Sequence, residues 1–324
     1  MMNRSEFLTA AAAVTAAAAV PVPAFAASED VELKIPAAGT LYGTLLVPAG
    51  TGPFPVVVLH AGSGPTDRDG GSTMLPGLNS LKLLADGLAA RGVASLRYDK
   101  RGIAKSAGAG GREEDLRFTA YVDDLEGWVK QLRADKRFSR ITLAGHSEGS
   151  LIATLAAGRG VADALVTLEG MGRRFGTVLR EQFGRAPAGA LRDAAMHVID
   201  ELEAGRTVAG PPPELAAAFR PSVQPYLMSE LQYDPAAELA KVRTPVTIVQ
   251  GTADMQTPPA DGAALYAAKP EARYVVVEGM NHVLKHAPDT STNAAIIAGY
   301  TDPTHPIEPA VIEAVAARAF GGLR

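Results

Sequence analysis

Apolar positions along residues 31–279 fall into two recurring patterns. FPVVVLH (54–60), GVASLRYD (92–99), RITLAGH (140–146), ADALVTLEG (162–170), TPVTIVQG (244–251) and ARYVVVEG (272–279) are near-continuous apolar runs that read as strands. Runs of this kind suit strands covered on both faces of a parallel sheet, where neither side meets water. Ahead of them, VELKIP (31–36) and TLYGTLLVP (40–48) flank a glycine turn and read as an antiparallel pair. Between the runs, LNSLKLLADGLAARG (78–92) and AYVDDLEGWVKQLRAD (120–135) repeat apolar positions at spacings of three and four, the mark of amphipathic helices. The alternation predicts an α/β domain with a mostly parallel central sheet of about eight strands and helices on both faces.

One stretch breaks the alternation. Residues 171–241 carry the helical patterns FGTVLREQF, LRDAAMHVIDELEAG and ELAAAFRPSVQPYLMSELQ, separated by AGPPPE, with no convincing strand. They predict a helical lid inserted into a core built from residues 27–170 and 242–324. The aromatics Phe175, Phe183, Phe219 and Tyr226 in this stretch are candidates to line an apolar pocket. Residues 1–26 have a different pattern again: Arg4, a 13-residue apolar run LTAAAAVTAAAAV (8–20), then Ala24-Phe25-Ala26. That order of charge, apolar segment and A-x-A site predicts a signal peptide and an exported mature protein. The run is shorter than the ~20 apolar residues of a membrane span, and no later segment reaches that length.

Composition narrows the picture further. The chain has 324 residues, 47% of them hydrophobic, enough for a sizeable core. A net charge of −4 with scattered basic residues argues against a nucleic-acid partner. There is no cysteine, so disulfides, thiolate zinc sites and a cysteine nucleophile are all excluded.

The candidate chemistry centres on Gly145-His146-Ser147-Glu148-Gly149, a G-x-S-x-G sequence between a buried strand and a helix. Serine is a favoured helix cap, so its presence alone proves little. Two flanking glycines, however, suit a tight strand-to-helix turn that presents a nucleophile at a helix N-terminus. Such a hydroxyl needs a base and an orienting acid. Asp254 follows the strand TPVTIVQ and His282 follows the strand ARYVVVE, which gives the chain order serine, acid, histidine. Asp261, Glu278, His197 and His305 fall away from the ends of these strands. His282 and His286 have helix-face spacing but no third metal ligand in reach, so neither a metal nor a cofactor is expected. A tetrahedral intermediate also needs oxyanion donors. The backbone N–H of Glu148 is one; the other is the N–H of Gly62 in His60-Ala61-Gly62-Ser63-Gly64-Pro65, with Ser63 its neighbour able to take the role. The cluster Asp67, Arg68 and Asp69 beside this loop, and Arg101 further on, read first as ion-paired braces.

The segments GSGPTDRDG (62–70), RYDKRGIAKS (97–106), GHSEGS (145–150), GTADMQTP (251–258) and GMNHVLK (279–285) together resemble the α/β-hydrolase superfamily. More narrowly, they are similar to bacterial exported serine hydrolases of the esterase and dienelactone-hydrolase-like groups, often grouped with serine aminopeptidases. The resemblance implies the α/β-hydrolase fold, with Ser147 as nucleophile, His282 as base, Asp254 as acid and the loop at Gly62 with Glu148 as oxyanion hole. It implies cleavage of small carboxylic esters through an acyl-enzyme, without a cofactor. The same triad serves aminopeptidases, amidases and thioesterases; an aminopeptidase would need a carboxylate for the free amine, for which Glu148 and Glu169 are candidates. A non-catalytic binding protein of this fold would be expected to have lost a triad member.

Overall fold

The computed structural model describes residues 28–72, 77–287, 289–300, 302 and 305–322. The leader expected over residues 1–26 lies outside them. Eight strands form one sheet: β1 (Glu29–Ile35), β2 (Gly39–Leu46), β3 (Phe54–His60), β4 (Ala94–Tyr98), β5 (Phe138–His146), β6 (Ala164–Leu168), β7 (Val246–Gly251) and β8 (Arg273–Val277). Their order is β1-β2-β4-β3-β5-β6-β7-β8; β1 and β2 are antiparallel to their neighbours and every other pairing is parallel.

Helices α1 (Ser80–Ala89), α2 (Phe118–Ala134) and α3 (Glu148–Gly158) follow β3, β4 and β5 in turn. Between β6 and β7 come α4 (Phe175–Gly184), α5 (Ala190–Glu203), α6 (Ala216–Phe219), α7 (Gln224–Glu230) and α8 (Pro235–Lys241). The chain ends with α9 (Pro259–Ala268), α10 (Asn293–Ala298) and α11 (Pro309–Ala319). No helix among the described residues is long and apolar enough to cross a membrane.

Alternate side chains of the strands enter two separate cores. Val56 and Val58 pack with Leu125 and Trp128 of α2 and Leu151 and Ile152 of α3, whereas Val57 and Leu59 pack with Leu84 and Leu88 of α1 and Val311 and Val315 of α11. Burying each such side chain stabilises the fold by roughly 1.5–3 kcal/mol. Neighbouring strands β3 and β5 therefore send their connections to opposite faces, α1 to one and α3 to the other. At such a switch point the loops part and leave a crevice beyond the carboxyl ends of the strands.

The insertion roofs this crevice. Phe118 and Tyr121 of α2 meet Tyr226 of α7, with the Tyr121 and Tyr226 rings edge-on at 5.7 Å. Arg173 bridges Asp261 of α9 (2.8 Å) and Glu181 of α4, and Arg220 with Ser222 grips Glu113 on the core side. Helix α8, at the end of the insertion, packs on α3 and α9.

Candidate active site

Ser147 occupies the N-cap position of α3, yet its side chain makes no capping hydrogen bond. Its backbone lies at φ 55°, a left-handed conformation that costs a non-glycine residue on the order of 1–3 kcal/mol. The turn persists because its flanks are bare. A Cβ on Gly145 would lie 2.0 Å from the Gly149 carbonyl oxygen, and one on Gly149 would lie 2.6 Å from the Ala61 oxygen. The glycines thus let β5, α3 and the loop after β3 converge, and the strained residue carries its hydroxyl out of the fold instead of back onto its helix.

Asp254 and His282 meet at the ends of β7 and β8. His282 Nδ1 donates to Asp254 Oδ2 at 2.7 Å, and the same oxygen accepts from the Thr257 hydroxyl at 2.7 Å. Asp254 Oδ1 takes the N–H groups of Gln256 (2.7 Å) and Thr257 (3.0 Å). Burial by itself would raise this carboxyl, but the His282 charge and hydrogen bonds from His282, Glu169 and Thr257 outweigh it and hold Asp254 down at about 2. A carboxylate on Nδ1 leaves Nε2 of the imidazole as the basic nitrogen. His146, next to Ser147 in the chain, lies against His282 with ring centroids 4.9 Å apart and its Nε2 is 2.6 Å from the His282 carbonyl oxygen. Burial and the His282 charge push His146 down to about 4, so it is neutral and donates that bond. Among the described residues the structure gives a hydrogen bond for His282 to Asp254 and none for Ser147 Oγ to His282.

The loop expected to supply an oxyanion donor is close by. A Cβ on Gly62 would sit 3.1 Å from the Ser147 Cβ, and Ser63 and Gly64 line the cavity in front of the serine. Glu148 is the first residue of α3, so its N–H is among those with no acceptor inside the helix. Arg68 does act as a brace, but its partner lies across the fold: its guanidinium binds Asp99 Oδ2 at 2.7 Å and its N–H binds Asp99 Oδ1 at 2.9 Å. Arg101 ties the next turn to α2 through Asp124 at 2.7 Å.

A cavity of ≈ 450 Å³ opens over Ser147. Its walls are mostly apolar, with Leu116, Tyr121 and Ile103 from the core and Phe175, Leu179, Phe219 and Tyr226 from the insertion, and the charged side chains Lys100, Glu113, Glu148 and Arg220 also line it. Of the four aromatics singled out in the sequence, Phe183 is the exception: it packs behind Phe219 at 5.1 Å.

A model of the alpha/beta hydrolase family matches residues 56–295. The chain belongs to that family. It is 26% identical over 277 residues to esterase EstD of Thermotoga maritima, an alignment that covers 84% of this chain and 64% of the length of that relative. Among solved structures it is similar to Est1E from Butyrivibrio proteoclasticus with ferulic acid bound, at TM-score 0.55 and 20% identity over 86% of this chain and 96% of that one. It is also similar to the hydrolase GrgF from Penicillium sp. sh18, at TM-score 0.56 and 20% identity over 79% and 91% of the two chains.

Within this family fold, several residues around the site escape the sequence patterns. Glu169, a candidate amine-binding carboxylate by sequence, is fully buried at the end of β6 with φ 47° and accepts the Gly251 N–H at 2.8 Å and the Gln250 amide at 2.6 Å. Burial and the Asp254 charge drive its carboxyl well above the usual range, and it backs Asp254 from inside the fold without lining the cavity. Asp261 is taken up by Arg173, and Glu278 is exposed. His286 is not on a helix face with His282: Met280 and His286 pair across a tight turn that sends His286 to Glu308 at 2.9 Å.

Proposed function

We propose that the chain is an exported serine esterase acting on small carboxylic esters with an apolar group. The observation that carries the reading is Ser147 held at a left-handed turn, without a capping role, in front of an apolar cavity and beside a hydrogen-bonded Asp254–His282 pair. The esterase names of EstD and Est1E point the same way.

In this reading His282 Nε2 removes the Ser147 proton as Oγ attacks the ester carbonyl. The carbonyl oxygen becomes an oxyanion on the N–H of Glu148 and of the Gly62–Ser63 loop. Collapse breaks the bond to the alcohol oxygen, which leaves with the proton from His282. Water, activated by the same imidazole, then attacks the acyl-enzyme and releases the acid and free Ser147. Ester substrates are favoured over free amines because no carboxylate is left over for an ammonium group. Glu169 is sequestered, Glu113 at the cavity wall is held by Arg220 and Ser222, Glu148 has Lys100 at 4.0 Å, and burial with the Glu148 charge raises Glu230 well above its ordinary range.

Ser147→Ala tests the proposal. We expect hydrolysis of p-nitrophenyl butyrate to drop by at least about 10⁴-fold with the melting temperature retained, and labelling by a fluorophosphonate probe to disappear. Activity within tenfold of wild type would refute the assignment. Export is tested separately, by asking whether the protein recovered from the periplasm begins near Ala27.

A further inference from the structure

Lys100 is a buried cation that the chemistry above does not use. It lies two residues beyond β4, is 1% exposed, and sits with Nζ 5.4 Å above the Tyr121 ring. A lysine stripped of water is costly unless its charge is met by fixed partners. Here Nζ donates to the main-chain carbonyls of Gly62 and of Gly64, the latter at 3.1 Å, and the Glu148 carboxylate stands 4.0 Å away. Burial lowers the ammonium from its ordinary value, against the opposing pull of Glu148 and Glu230. Gly62 and Gly64 on the loop after β3, and Glu148 at the first residue of α3, are in the two segments proposed above to supply the oxyanion donors.

We propose that Lys100 is a positioning residue that assembles the oxyanion hole, by gripping the Gly62 and Gly64 carbonyls on one side and the Glu148 side chain on the other. The inference rests on the serine-esterase reading. A trans peptide unit is planar, with its carbonyl and N–H pointing in opposite directions. A cation that holds the Gly62 carbonyl therefore sets the direction of the Ser63 N–H, the neighbour able to take the donor role in place of the Gly62 N–H, on the side of the peptide opposite Lys100. The same charge polarises that peptide and makes its N–H a stronger donor. On the second side, the attraction between Lys100 and the Glu148 carboxylate fixes the start of α3, where the other N–H emerges. Lys100 acts through these backbone groups, and the negative charge they stabilise develops in the tetrahedral intermediate and not in the bound ester. Its effect belongs in kcat.

The test compares Lys100→Met, close in volume but uncharged, with Lys100→Arg. The readouts are kcat and KM for p-nitrophenyl butyrate, the affinity for butylboronic acid, which forms a tetrahedral adduct on the serine, and the melting temperature. Lys100→Met is expected to lower kcat by about 10–100-fold, less than deletion of an oxyanion donor outright, with KM changed less than about threefold. Boronate affinity should weaken in step, and Lys100→Arg should regain at least about fivefold of the lost rate. A folded Lys100→Met enzyme with kcat within threefold of wild type, a loss confined to KM, or a loss with unchanged boronate affinity each overturns the proposal. Should Lys100→Met not fold, Lys100→Gln is judged by the same criteria. Failure of both to fold beside a native Lys100→Arg assigns the residue a purely structural role and likewise overturns it. Ser147→Ala separates the two levels: if that variant retains activity, the esterase reading fails first.

Discussion

The floor of the cavity and its roof are held in place by different means. On the floor, Ser147 and the loop at Gly62 sit at the ends of β5 and β3, strands packed between two apolar cores, and their backbones approach so closely that no side chain fits at Gly145 or Gly149. In the roof, Phe219, Tyr226 and Leu227 share the core's apolar packing, but the rim of α4 and of the α6–α7 segment is tied down by polar groups, several of them partly exposed. Arg173 binds Asp261, Arg220 binds Glu113, and the Gln182 amide reaches the Gln256 carbonyl at 3.1 Å. Close-packed backbone admits one geometry, because any added atom must displace a strand or helix. Partly exposed ion pairs admit many, since each contributes little and its side chains are free to re-form contacts. The difference sets the groups proposed to react in the part of the fold that cannot adjust, and the polar-tied rim of the cavity in the part that can.

The sharpest way to break this contrast is Gly145→Ala. The new methyl would lie 2.0 Å from the Gly149 oxygen, so we expect a loss of about 3 kcal/mol or more in urea denaturation together with nearly all esterase activity. A stable, active Gly145→Ala enzyme would show that the floor yields after all.

A second test uses acid. His146 titrates at about 4 in the folded chain against 6.5 when unfolded. Between these values the unfolded chain binds the proton and the folded one does not, so this stabilisation is complete above pH 6.5 and is lost as the pH falls toward 4. The shift corresponds to roughly 3–4 kcal/mol, an upper bound because His146 is only part-buried. Urea midpoints measured across this window should fall less steeply in His146→Asn than in wild type.

The smallest effect is expected in the roof. Arg220 and Glu113 are 42% and 36% exposed at their side chains, so Glu113→Gln should cost no more than about 1 kcal/mol. It should leave kcat for p-nitrophenyl butyrate within about twofold and shift KM, most for bulkier acyl groups. A large fall in kcat instead would mean that the roof, too, sets the reacting geometry.

Much of the architecture is legible in the order of residues alone. The unbroken apolar runs of β3 to β7 arise because both faces of those strands are covered, and the turn signals at their ends mark where Ser147, Asp254 and His282 fall. The helical character of the insertion is legible for the same reason, from its spacing of apolar positions. What sequence leaves undecided is adjacency. Glu169 carries no sign that it will lie against Asp254, 85 positions later, since a buried carboxyl and a solvated one are spelled alike. Lys100, in Asp99-Lys100-Arg101-Gly102, reads as one more loop charge, and its grip on Gly62 exists only because β4 pairs with β3.

The sequence by itself determined the order of strands and helices and pointed to the three groups proposed for the site, because periodicity and short-range turn chemistry are local properties of the chain. The tertiary structure decided which charges lose their water, which carbonyls they meet and where the cavity closes. Those outcomes depend on distances between residues far apart in sequence, set by strand order and by packing across the sheet.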